Sequence, residues 1–185
     1  MDLERHPWAR DGVRIARALL DEIEAHAREA YAGGLAIEGG HEGEEACGLL
    51  EGPSGEPLLV DRALQLPNLA NRYHAMDPAD YPRTGRMYFL VDPLKFSRAV
   101  REGQSNGRPV KVLYHSHLDC GAYFSETDTA TALAGGDEPA YDLAFLVVSV
   151  RGDGKGGGAQ VDDRKLFVWS AAEKKFVEAK LDVVG

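Results

Sequence analysis

The stretch "YDLAFLVVSV", residues 141–150, limits the fold more than any other part of the sequence. It is the most apolar run in the chain and is rich in β-branched residues. At ten residues it is too short to cross a membrane as a helix, and it suits a strand covered on both faces. A strand of that kind needs layers on either side. The flanking segments supply candidates for both strands and helices.

Residues 15–31, "IARALLDEIEAHAREAY", place Ile15, Leu19, Leu20, Ile23, Ala27 and Tyr31 on one helical face. His26 lies on that helix and reads as structural. "AYAGGLAIEGGHEGEE" follows as a glycine-rich flexible connector. "ACGLLE", "PLLVDRALQLPN" and "RMYFLVDP" read as strands. "NRYHAMDPADYPRTG", residues 71–85, reads as a long polar loop carrying Tyr73, His74 and Tyr81. Pro93 opens a helix, "PLKFSRAVREGQ", that ends near Asn106-Gly107. "PVKVLYHSH" is a strand by composition, and "ETDTATALAGG" is a helix closed by glycines. "VRGDGKGGGAQ" is a hairpin loop without the phosphate-loop pattern. "DDRKLFVWS" and "KFVEAKL" close the chain as strands. Helices interspersed with strands predict an α+β fold, a mixed β-sheet flanked by helices. No internal repeat is visible, and the length suits a single domain spanning residues 1–185.

The formal net charge of −9 argues against a nucleic-acid partner and against an anionic membrane surface. Solubility accounts for the charge. The first residues, "MDLERHPWAR", are charged, so no signal peptide is expected. No apolar run reaches the ~18 residues of a membrane helix. Two cysteines, Cys47 and Cys120, make a disulfide framework unexpected and point to a reducing cytoplasm.

Chemistry concentrates in "YHSHLDCGAYFSETD", residues 114–128. Strand side chains alternate faces, so His115 and His117 point the same way. Two adjacent imidazoles can share a metal. A catalytic zinc site commonly has three protein ligands plus water, and Asp128 is the candidate third. "SETD" is also a capping box, with Ser125 at the N-cap. The capping and ligand roles of Asp128 are compatible, because a carboxylate has two oxygens.

Other families with a His-x-His pair can be tested on the sequence. The HxHxDH proteins need histidines further downstream, and none follows His117. Amidohydrolase barrels need about 250 residues. The HExxH helix and the HxE…PCxxC of zinc deaminases are absent.

The spacing His115-x-His117, seven residues, Ser125, two residues, Asp128 resembles the HxH-x7-S-x2-D signature of JAMM (MPN+) zinc metalloproteases. The glutamate that this family carries upstream, in E-x-x-G-[LI]-[LM]-x-G, matches "EACGLLEG" at Glu45. The likeness runs from about Val13 to Ser170. The longer His-to-Ser spacing of RadC-like relatives is not found here. Leu118 stands where many relatives have Pro, and the segment before Glu45 is longer than usual.

The resemblance implies a JAMM/MPN (cytidine-deaminase-like) architecture and one Zn2+ per chain held by His115, His117 and Asp128. It implies Glu45 as general base and acid, and Ser125 as a donor to the oxyanion. It further implies hydrolysis of a peptide or isopeptide bond after the C-terminal Gly-Gly of a ubiquitin-like or sulfur-carrier protein, as in stand-alone bacterial members. A deubiquitinase-like deconjugase of a bacterial tagging system and a non-catalytic MPN scaffold are the alternatives. Cys120 is a further soft-ligand candidate, whereas Cys47 reads as a small buried residue.

Overall fold

The computed structural model describes residues 5–154 and 158–185. The first four residues of the N-terminal reading, and residues 155–157 of the hairpin loop, lie outside the described residues. After a single 3₁₀ turn at Pro7–Ala9, the strands and helices run in the order β1 (Val13–Ala16), α1 (Arg17–Tyr31), β2 (Ala36–Ile37), β3 (Gly40–His41), β4 (Cys47–Glu51), β5 (Leu59–Val60), β6 (Arg62–Leu66), α2 (Ala70–Met76), α3 (Pro93–Ser105), β7 (Val110–Leu118), α4 (Glu126–Leu133), β8 (Ala144–Gly152), β9 (Ala159–Ser170), β10 (Lys175–Ala179) and β11 (Leu181–Val184).

A six-stranded sheet in the order β10-β9-β8-β7-β4-β6 forms the centre. Only β7 and β8 pair in parallel, with α4 in the crossover between them, so the sheet is mixed. The apolar run beginning at Ala144 becomes β8, covered on both faces as its composition demands. Leu146, Val148 and Val150 pack toward α1, whereas Phe145 and Val147 pack toward the α3 and α4 side. Each such buried aliphatic side chain contributes roughly 1.5–3 kcal/mol relative to exposure.

Several boundaries differ from the sequence expectations. Ile15 belongs to β1, not to the helix. Val13 and Ile15 are buried with Arg14 exposed between them, a strand alternation that abuts the helical pattern. β1 pairs in parallel with β11 and β5 to make a second, three-stranded sheet. "PLLVDRALQLPN" therefore splits at Asp61, with β5 in the small sheet and β6 in the large one. Arg108 holds Asp61 at the switch. "KFVEAKL" splits in the same way, between β10 and β11. The glycine-rich connector contains the β2–β3 hairpin. The polar loop begins as α2.

"RMYFLVDP" is not a strand. Its backbone is satisfied by Asn68: Nδ2 donates to Tyr88 O at 3.0 Å, and Leu90 N donates to Oδ1 at 3.1 Å. Leu69 N completes the seam by donating to Leu90 O at 2.8 Å. A side-chain amide does here what a neighbouring strand would otherwise do. His26, on α1, contacts the Tyr114 hydroxyl through Nδ1 at 2.9 Å.

Candidate metal centre

β7 delivers both histidines. All nine of its residues are buried, and its register sets Cys47 of β4 opposite His115. The Nε2 atoms of His115 and His117 lie 3.1 Å apart. His117 Nδ1 donates to Gly121 O at 3.0 Å, which leaves Nε2 with its lone pair toward the cluster. Phe89 stacks on the His115 ring at 4.6 Å, and Tyr123 meets the His117 ring edge-on at 4.9 Å.

The loop after β7 returns the chain to the same face. Gly121, at φ +94°, takes a conformation that other residues rarely adopt. Phe124 is seated among Phe145, Phe167 and Phe176, at 5.2, 5.5 and 4.4 Å, which anchors the start of α4. Ser125 then caps the helix. Asp128 N donates to Ser125 Oγ at 3.0 Å, and Ser125 N donates to Asp128 Oδ2 at 2.8 Å. The Ser125 hydroxyl donates to the same Oδ2 at 2.6 Å. Asp128 Oδ1 lies 3.2 Å from His115 Nε2, and Oδ2 lies 3.4 Å from His117 Nε2.

One ligand atom from each of His115, His117 and Asp128 thus falls within 4.8 Å of the other two. Two imidazole nitrogens and a carboxylate oxygen, converging and buried, are the donor set a divalent ion such as zinc prefers. The protonation states fit as well. Burial pushes His115 down, against the weaker pull of Asp128, and so favours the neutral imidazole that a metal needs. Burial opposes ionisation of Asp128. The Ser125 donors favour the charged form, and the carboxyl is held below the ordinary range.

Glu45 sits just before β4 and is buried. Burial first, and the Asp128 charge second, raise its pKa well above that of an ordinary carboxyl. Its backbone is held from three directions. Glu45 N donates to Gly85 O at 2.7 Å, and Asn68 Nδ2 donates to Glu45 O at 3.1 Å. At the next residue, Ala46 N donates to Ser116 Oγ at 2.8 Å. Ser116, between the two histidines, faces the other way and ties the Glu45 segment to β7.

Sequence reading did not single out Ser116 or Asn68. An isolated Ser or Asn carries no local signal of a partner 70 or 23 residues away. Cys120 is exposed and stands outside the convergent group, and Cys47 is buried. Burial above all, with Glu45 and Glu44 adding to it, pushes the Cys47 thiol up to about 12, which leaves it inert. Beside His115 and Asp128, an apolar cavity of about 290 Å³ runs under α3 and α4, lined by Phe89, Phe96, Phe124, Leu143 and Phe145 among others.

A mixed sheet that presents two histidines from a strand end to an aspartate on the next helix defines a JAB/MPN-type α+β domain. The profile described as prokaryotic homologs of the JAB domain matches residues 16–164, and the chain belongs to that family. The fold is shared with two solution structures. One, a protein of Desulfitobacterium hafniense, is 22% identical with a TM-score of 0.56, covering 93% of this chain and 92% of that one. The other, a protein of Salinibacter ruber, is 20% identical with a TM-score of 0.56 and the same coverage, 93% and 92%. A JAB1/MPN domain protein of Archaeoglobus fulgidus is 18% identical with a TM-score of 0.48, covering 94% and 100%. No curated protein matches the chain. No helix among the described residues is long and apolar enough to cross a membrane.

Proposed function

We propose that this protein is a zinc metallopeptidase. It hydrolyses the peptide or isopeptide bond after the C-terminal Gly-Gly of a ubiquitin-like protein of the sulfur-carrier kind. One observation carries the reading. His115, His117 and Asp128 converge as a three-ligand group, and a buried glutamate with raised proton affinity stands beside it rather than in it. A structural site would call for a fourth protein ligand.

Zinc at these three residues would lower the pKa of water and polarise the scissile carbonyl. Every other part of the reaction falls to the chain. Glu45 accepts a proton from the attacking water and returns it to the leaving nitrogen, a role suited to a buried carboxyl whose proton affinity is raised. The same proton return serves an α-amine and a lysine ε-amine, so both bond types are substrates in principle. Asp128 keeps its charge through the Ser125 donors. Ser125 Oγ, now spent on Asp128, can swing its proton to the developing oxyanion. Phe89 and Tyr123 flank the two imidazoles and restrict water around the reacting bond. The extended substrate tail approaches across this face, with the apolar cavity beside it.

The test uses ubiquitin-like proteins fused through Gly-Gly to a reporter. Wild type cleaves after the second glycine with about one zinc per chain bound. Glu45→Ala keeps the zinc and loses roughly 10²–10⁴-fold in kcat, the usual worth of a general acid–base. Cleavage by Glu45→Ala at the wild-type rate would remove the base from this scheme.

A further inference from the structure

One acidic residue outside the ligand set joins the end of β7 to β8, to α1 and to the turn at Gly85–Arg86. We propose that Asp119 is a positioning residue: through Arg86 it fixes Glu45 against the strand that carries His115 and His117. This rests on the peptidase reading for its catalytic consequence, but not for its geometry.

Asp119 leaves β7 two residues after His117, with φ 61°, a left-handed conformation that Asp tolerates better than most residues. Its backbone stays with β8: the N–H donates to Val150 O at 2.8 Å, and its carbonyl accepts from Arg151 Nη1 at 3.0 Å. The carboxylate turns toward the site's frame. Oδ1 accepts the Gly152 N–H at 3.0 Å. Tyr31, the last residue of α1, donates its hydroxyl to Oδ2 at 2.9 Å. Arg86 Nη2 donates to Oδ2, also at 2.9 Å.

Arg86 continues the chain of contacts. Its Nη1 donates to Glu42 O. The residue before it, Gly85, accepts the Glu45 N–H at 2.7 Å and donates its own N–H to Asn71 Oδ1 at 2.7 Å. Asn71 Nδ2 in turn donates to Glu44 Oε2 at 3.0 Å. Glu42 and Glu45 are therefore held by the Gly85–Arg86 turn directly and Glu44 through Asn71, and Asp119 holds Arg86. Gly43 fits only because it lacks a side chain. A Cβ there would come within 2.6 Å of Leu118 Cδ2, next to Asp119. Apart from this turn, the segment ahead of Glu45 is held by the backbone bonds Glu42 N to Leu35 O, Gly43 N to Gly33 O and Glu44 N to Ala30 O, and Glu45 by Asn68 and, through Ala46, by Ser116.

The side chains of Asp119 and Arg86 are 38% and 36% exposed, so their pairing adds little to global stability. What it supplies is direction. A base displaced by about 1 Å costs roughly 10²-fold in rate.

The experiment compares wild type, Asp119→Asn, Arg86→Gln and the double variant, zinc-loaded, on the Gly-Gly fusion. Asn keeps the Gly152 contact and removes the charge that holds Arg86. Each single variant should keep its zinc, hold KM within about twofold and lose about 10–100-fold in kcat. The double variant should be no slower than the slower single, because both break one path. An unchanged kcat, loss of zinc, or multiplicative effects would each overturn the proposal.

A second arm needs no activity. In metal-free protein, Asp119→Asn should speed amide exchange at Gly43, Glu44 and Glu45 about tenfold, with Cys47–Glu51 unchanged. Equal protection in variant and wild type also overturns the proposal. If wild type cleaves no fusion, the peptidase reading has failed, and the exchange arm decides the positioning role alone.

Discussion

The two ends of β7 each bury a charged or ionisable side chain, and they treat it in opposite ways. Near the start of the strand, the Lys111 ammonium donates to Pro53 O, Glu56 O and Leu59 O at 2.9, 2.8 and 2.9 Å, and it lies 5.5 Å over the Trp8 ring. Burial pushes Lys111 down to about 8, yet all three of its donor positions are matched. Near the other end, His115 is equally buried, but its Nδ1 has no partner among the described residues. Its Nε2 is crowded against another imidazole nitrogen and a carboxylate. A satisfied buried charge closes a fold. A convergent cluster with a buried imidazole nitrogen left unpaired is costly to keep and marks a place where chemistry can be done.

Substitutions at the two ends should therefore separate metal binding from stability. Asp128→Ala removes the carboxylate that meets both imidazoles. It should abolish cleavage and reduce bound zinc from about one per chain to near none, read by metal analysis after dialysis. Zinc retention would mean that the His115–His117 pair does not need Asp128, and the functional end would lose its definition. Lys111→Met is the counterpart. It leaves three carbonyls without their donor and should cost about 3 kcal/mol in urea unfolding, at about 1 kcal/mol per bond. Zinc content and kcat should not change. Parallel loss of metal would erase the contrast between the ends.

Ser125→Ala tests where the two roles overlap, since one hydroxyl both caps α4 and holds Asp128. Capping alone predicts a loss of about 1 kcal/mol in stability. A donor to the oxyanion predicts a further fall of about 10²-fold in kcat with zinc retained. Kinetics at unchanged zinc occupancy separate the two. An unaltered kcat would leave Ser125 as a helix cap.

The contrast between the ends also explains what could be read from the chain. The His115/His117/Asp128 grouping was legible because all its determinants are local: strand alternation sets the two histidines on one face, and the capping box brings Asp128 back eleven residues after His117. β8 was legible from its apolar run. Pairing decisions were not. Nothing in "RMYFLVDP" shows that Asn68 will take up its backbone bonds, and Asp61 gives no local sign that the chain changes sheets there. The strand alternation at Val13 and Ile15 blends into the helical pattern after it, because both periods place an apolar residue at 15. The supports of Glu45, at Ser116, Asn68 and Gly85, are contacts across the chain that only the assembled sheet defines.

The smallest effect concerns Glu45 without metal, and its sign is fixed by linkage. Burial and the Asp128 charge raise the folded-state pKa of Glu45 well above the ordinary 4.5, so the folded protein holds this proton more tightly than the unfolded chain. The stability tied to that proton is fully present below pH 4.5 and is lost as pH rises through the raised value. Gln has the same shape and no proton to lose. In chelator, Glu45→Gln should therefore be more stable than wild type at pH 8, because Gln has no charge to bury there. The two should converge by about pH 4. Asp128 has the opposite sign and loses its stabilising charge toward low pH, and its repulsion of an ionised Glu45 is part of what the Gln variant relieves at pH 8. Unfolding curves at the two pH values read the difference. A gap independent of pH, or a less stable Gln variant at pH 8, would show that Glu45 is not desolvated beside Asp128, and the base would lose the environment that raises its proton affinity.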